Sequence, residues 1–165
     1  MEYGGFMKKE IKLVIIIIVG LLIVGGVVAG IVLSLNNGKP SALNQAQTAA
    51  AKKQITTNWE KFFAGSTTIK ERQQLLENGS KFGQLMEAEF KAIGSQSPSA
   101  IVSSVDVTNS TSANVYYEVE LDKQPVLTGQ KGQAVFQDGM WKVGDATLCG
   151  LLSMDGQHPA ICKGQ

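Results

Sequence analysis

The sequence is poor in the side chains that carry most protein chemistry. It has one histidine, His158, one arginine, Arg72, and two cysteines, Cys149 and Cys162. Two cysteines and one histidine make a poor zinc site, which normally takes three or four such ligands, spaced to converge. No Ser-His-Asp grouping can be assembled around a histidine set in Gly156-Gln-His-Pro159, a segment that reads as surface. There is no phosphate-binding glycine loop, no internal repeat and no alternation of strand and helix. An excess of one charge is missing too. Residues 36–165 hold 12 Lys and Arg against 12 Asp and Glu. That removes the basic surface by which nucleic acid is held, so no nucleic-acid partner is expected. These absences leave no catalytic, cofactor-binding or metal-binding residue to assign.

Charge is absent altogether between Lys12 and Lys39. Within that gap, Leu13 to Leu33 is an unbroken run of apolar residues and glycine. As a helix it would reach roughly 30 Å, the thickness of a bilayer's hydrocarbon core. A cleaved signal has a shorter apolar stretch, about 7–15 residues, followed by a small-x-small site. Here the small pair Ala29-Gly30 is followed by Ile31, Val32 and Leu33, so a retained anchor is expected. Lys8, Lys9 and Lys12 precede the run and only Lys39 follows closely. By the positive-inside rule the first residues stay cytoplasmic and the rest lies outside the cell. Gly26 and Gly30 form a GxxxG pair that would let two such helices pack as a homodimer. The expected organisation is a cytoplasmic segment 1–12, a single-pass anchor 13–35 in the cell membrane, a linker or stalk 36–54 and an extracellular domain 55–165.

The exterior part begins with helical periods. Ser41 is placed to cap a helix from Ala42. Its first half, Ala42 to Lys53, has little to bury. In its second half Ile55, Trp59, Phe62 and Phe63 share one face. Thr68-Ile-Lys-Glu71 is a capping box, which predicts a short helix over 69–77. Ser80 then caps a third helix with the stripe Phe82, Leu85, Met86, Phe90 and Ile93, ended by Gly94.

After Pro98 the period falls to two. Ala113, Val115, Tyr117, Val119 and Leu121 alternate with Asn114, Tyr116, Glu118 and Glu120, predicting a strand with one buried face. Ile101 to Val107 predicts another, joined through Asn109-Ser-Thr-Ser112. Asp138-Gly139 is a two-residue hairpin turn. It sets Phe136 opposite Trp141 and Ala134 opposite Val143. Gly129 and Gly132 suggest a bulge or bend. Three helices followed by four antiparallel strands predict an α+β domain, with the helices packed on a curved sheet. Both cysteines lie in the expected oxidising compartment, which predicts a Cys149–Cys162 disulfide.

Several segments carry a resemblance. They are Trp59-Glu-Lys-Phe-Phe-Ala-Gly65, Leu75-Leu-Glu-Asn-Gly79, Gln137-Asp-Gly-Met-Trp-Lys-Val-Gly144 and Leu148-Cys-Gly-Leu-Leu152 with Cys162. Over roughly 55–162 the chain resembles the C-terminal domain of the actinobacterial low-molecular-weight secreted antigen family. The resemblance implies a cone-like fold related to nuclear transport factor and ketosteroid isomerase, an extracytoplasmic location and no defined enzymatic role.

A cone has a hollow between helices and sheet. Trp59, Phe62, Phe82, Tyr117, Phe136 and Trp141 are the residues that would line it. An isomerase there would need a carboxylate base beside a donor such as Tyr117. Asp106, Glu118 and Glu120 fall instead on the faces expected to be wet. The leading expectation is a membrane-anchored, non-enzymatic binding or interaction module whose partner is an unknown protein. The alternatives are a carrier of a small apolar ligand and an isomerase or hydrolase, each using the hollow.

Overall fold

The computed structural model describes residues 41–154 and 156–163. The Leu13–Leu33 run and its Gly26–Gly30 pair lie outside the described residues. Among the described residues no helix is long and apolar enough to cross a membrane.

Helix α1 spans Gln45–Phe63. Its cap is Asn44, not Ser41. The Asn44 side chain accepts from the Gln47 N–H, and the Gln47 side chain accepts from the Asn44 N–H. A capping box satisfies two otherwise orphaned donors, which outweighs a lone serine three residues earlier. One face of α1 buries Ala51, Ile55, Trp59, Phe62 and Phe63. From Gln45 the helix runs on through the last part of the segment 36–54 expected as a stalk, and Ala51 already lies in the core. Helix α2 spans Ile69–Leu75 and carries the capping box expected of Thr68 and Glu71. The third helix does not start at Ser80. A 3-10 turn, Gly79–Phe82, comes first, and α3 spans Gly83–Ile93. Asn78 enters that turn at φ 50°. A Cβ on Gly79 would stand 2.0 Å from the Gln73 carbonyl oxygen. Only glycine fits at that position.

The sheet contains β1 (Pro98–Val107), β2 (Ser112–Leu121), β3 (Gln124–Gln137) and β4 (Met140–Val143), antiparallel and in sequence order. The Asp138-Gly139 register is as expected: Phe136 pairs with Trp141 and Ala134 with Val143. Both turn residues have positive φ, 54° and 79°, as a type I′ turn requires. A second turn, Asp122-Lys123, takes the same shape without glycine, at φ 50° and 64°.

The alternation expected on β2 holds as far as Val119, and Leu121, at the strand end, is only half-buried. Ala113, Val115, Tyr117 and Val119 are buried, facing α1. The sheet curls into a half-barrel, and three bulges help to bend it. Ser103 is extra on β1, Thr128 and Gly129 oppose Glu118, and Val126 is extra near the start of β3. Gly129 sits at φ +64°. Gly132 serves another purpose: a Cβ there would lie 2.8 Å from two carbons of the Trp59 indole. The glycine lets the largest side chain of α1 touch the sheet backbone.

The sequence reading ended the fold at β4, whereas the structure has a fourth helix. Helix α4 spans Asp145–Met154 and buries Leu148, Cys149 and Leu152. A 3-10 turn, Ala160–Cys162, follows, and Cys149 and Cys162 form the expected disulfide. The architecture is therefore α+β with four helices, not three.

Candidate functional site

The hollow between helices and sheet comes first, because the expected lining residues converge there. Trp59, Phe62, Phe82, Tyr117 and Trp141 are all buried, and Phe136 is half-buried against them. All but Phe82 make ring contacts, in two groups. Trp59 contacts Tyr117 edge-on at 5.1 Å between centroids, and Phe62 contacts Phe63 at 5.2 Å. Phe63 reaches Tyr117 at 5.6 Å, and Phe136 meets Trp141 at 5.5 Å. Burial pushes the Tyr117 hydroxyl up to about 12, so it stays a neutral phenol. Asp106, Glu118 and Glu120 lie on the opposite face of the sheet, away from this cluster. The indole N–H of Trp59 is buried and has no hydrogen-bond partner among the described residues.

Arg72 is the least exposed charged residue, at 1%. It donates to the carbonyls of Phe62, Ala64 and Thr67, and its guanidinium lies 3.5 Å from the Phe90 ring centroid. The Phe62 and Ala64 carbonyls end α1 and carry the negative pole of its dipole, so the cation closes that helix, and the Thr67 carbonyl ties in the loop before α2. Burial lowers its pKa to about 10, which leaves it charged at neutral pH. Its role is architectural.

The outer face of the sheet carries a shallow depression of about 440 Å³. It is lined by Ile101, Ser103, Ser104, Tyr116, Tyr117, Glu118, Gly129 and Gln130. The Ser103 and Gly129 bulges flank the same three residues of β2, Tyr116 to Glu118, from either side. Ile101 is 45% exposed and Tyr116 38%. Ser103 donates to the Tyr116 carbonyl at 3.0 Å, and Lys131 sits 5.9 Å from the Tyr116 ring centroid. Two exposed apolar side chains thus stand beside hydroxyl, carboxylate and amide groups.

A polar seam joins the end of α2, β4 and the start of α4. Leu76 pairs with Val143 as a parallel bridge, and the Glu77 N–H donates to the Val143 carbonyl at 2.8 Å. The Glu77 carboxylate accepts from the Asp145 N–H at 3.2 Å. Asp145 is buried and accepts from the Asn78 amide at 2.9 Å. Lys142, also buried, donates to Asp138 at 2.7 Å and Gln137 at 3.3 Å. Desolvation raises the Glu77 pKa; the hydrogen bond from the Asp145 N–H opposes the rise, the neighbouring Asp145 carboxyl adds to it, and Lys142 opposes it. The sequence reading missed this cluster. The available signal was Asp145 placed before Leu148, Leu151 and Leu152, the start of an amphipathic helix.

His158, on the tail, is exposed, and the described residues contain no group of three metal-ligating side chains.

Comparison with curated proteins finds no match. A solved structure from Nostoc punctiforme, a domain of unknown function with a cystatin-like fold, is similar at 12% identity. The match covers 72% of this chain and 91% of that one, with a TM-score of 0.38, too distant to bear on function. A family model described as the C-terminal domain of low molecular weight antigen MTB12 matches residues 47–159. The resemblance carried by the Gln137–Gly144 hairpin and the paired cysteines thus has an independent match over most of the chain, and the chain belongs to the MTB12 low-molecular-weight antigen C-terminal domain family.

Proposed function

We propose that this chain is a non-enzymatic interaction module, held at the outer face of the membrane by the Leu13–Leu33 helix, that docks an exterior protein on the bulged outer face of its sheet. One observation carries the reading: the inward side chains are spent on one another, while Ile101 and Tyr116 are left exposed together on the outside. Aromatic side chains framed by polar groups are the usual anchors of protein interfaces. A carrier would need the hollow to accept a ligand, and aromatic packing there weighs against it. An isomerase or hydrolase would need a carboxylate in that hollow, and the nearest buried one, Asp145, belongs to the seam with Glu77.

The test is photo-cross-linking in intact cells that express the full chain. A photoreactive residue at position 116 should capture a discrete partner, and the same residue at Met154, which is more exposed at 57%, should not. Ile101→Lys should abolish the capture while leaving the melting temperature unchanged. Equal capture at both positions, or capture indifferent to Ile101→Lys, would contradict the reading.

A further inference from the structure

Residues 36–165 are neutral, with 12 Lys and Arg against 12 Asp and Glu, yet the charges are not evenly spread. The helices carry both signs, among them Lys52, Lys53 and Lys91 with Glu60, Glu87 and Glu89. Strands β1 and β2 carry one sign: they hold Asp106, Glu118 and Glu120 and no Lys or Arg. All three carboxylates lie on the outer face of the sheet, opposite the buried side chains. Glu118 and Glu120 stand two positions apart on β2, roughly 7 Å along the strand and on the same side. The register sets Glu118 opposite Ile101 and Tyr116 opposite Lys131. One carboxylate therefore adjoins both exposed apolar side chains of the depression. Glu118 is half-buried there. Neither it nor Glu120 nor Asp106 makes an ion pair among the described residues. The neighbouring Lys131 ammonium lies instead 5.9 Å from the Tyr116 ring centroid.

We infer, resting on the docking surface proposed above, that its partner is an exterior protein with a basic surface, which sets Lys or Arg side chains against Glu118 and Glu120 and apolar ones against Ile101 and Tyr116. Charge decides among the occupants. An anionic lipid surface would meet carboxylates and be repelled. A second copy packed face to face would bring the Glu118 and Glu120 carboxylates of both copies into one contact, where like charges oppose binding. A basic protein meets the opposite sign. Its cation reaches a carboxylate already partly shielded from water, and such a pair is screened less than a fully exposed one. A guanidinium can bond that carboxylate through two N–H groups while its plane stacks on the Tyr116 ring. The face then divides its tasks. Ile101 and Tyr116 supply contact area, and Glu118 with Glu120 sets the sign of the partner and speeds the encounter.

Charge variants of the full chain, with the photoreactive residue at position 116 in intact cells, test this. In the Glu118→Gln, Glu120→Gln double variant, capture of the partner should fall roughly tenfold or more. Lys131→Gln, which makes the face more acidic, should raise capture. Glu60→Gln, which removes the same charge from the exposed side of α1, should leave it unchanged. Partner peptides cross-linked to position 116, read by mass spectrometry, should contain Lys or Arg. If the double variant melts early, Glu118→Gln alone set against Lys131→Gln gives the same two opposite directions. Capture indifferent to the loss of both carboxylates, or a captured segment without basic residues, overturns the basic partner and leaves the docking surface standing. No capture at position 116 with Glu118 and Glu120 intact overturns the docking surface, and the basic partner with it.

Discussion

The Trp59 indole rests against the bare backbone of Gly132, where a Cβ would come within 2.8 Å of its Cζ2 and Cη2 atoms. Thr147, on α4, would crowd the same atom at 2.7 Å. One glycine thus sets the distance between α1, β3 and α4. Gly132→Ala should destabilise the domain by about 1–3 kcal/mol, the usual cost of overpacking a core. Gly150→Ala, where nothing stands within 4 Å, should not. Paired thermal melts check this, and equal melting temperatures would show that the indole can move aside.

Trp141 ties the short β4 to α1. Its N–H donates to the Gln54 side chain at 3.1 Å, and its carbonyl accepts from the Asn58 amide at 2.7 Å. The ring packs edge-on to Phe136. Trp141→Ala should cost roughly 3–5 kcal/mol through lost burial and the cavity left behind. Denaturant unfolding measures it.

The disulfide joins Cys149 of α4 to Cys162 across 13 positions. A closed loop of that size stabilises by about 3 kcal/mol in the chain-entropy model. The Cys149→Ser, Cys162→Ser double variant should lose about that much, read from its denaturation midpoint. Mass spectrometry of non-reduced peptides should show the cross-link in protein taken from the native compartment.

Glu71 carries a different pH dependence from Glu77. Hydrogen bonds from the Thr68 backbone and side chain, then the nearby Lys61, hold its pKa down to about 2. A depressed acid stabilises fully above its unfolded value, near 4.5, and that support is lost as pH falls towards about 2. Glu71→Gln should therefore lower the melting temperature at pH 7 and converge with the wild type at pH 2. A constant difference across that window would remove Glu71 as the source.

The proposed anchoring through Leu13–Leu33 has its own test. Protease added outside intact cells should remove the domain, and alkaline washing should leave the remaining fragment in the membrane. Free protein in the medium that begins after residue 33 would contradict a retained helix.

What the sequence made legible was periodic or punctuated. The alternation of β2 and the Asp138-Gly139 turn together fixed which residues face the core, because a slip of one position would have turned every side chain over. The cysteine pair was legible from parity and the expected compartment, and the disulfide is present. Helix α4 was not, because Gly150 interrupts its pattern and its buried apolar residues are only Leu148, Cys149 and Leu152. The start of α1 was misplaced because two adequate capping residues stood three positions apart, and a reciprocal hydrogen bond chose between them. The Asp122-Lys123 turn lacks the glycine that usually announces such a turn. The Glu77–Asp145 seam joins residues 68 positions apart, so no local pattern could announce it.

The reading of this domain as an interaction module depends most on a filled hollow, and Trp59 is a natural reporter of it. Its indole N–H is buried and has no hydrogen-bond partner among the described residues, so its proton resonance should respond to anything that enters beside it. The measurement is the NMR signal of that N–H in the compact unit 38–165, titrated with small apolar ligands such as indole and short-chain alcohols. The account predicts no saturable shift at Trp59. A saturable shift there would mean that the hollow opens to ligands, and the chain would be a carrier.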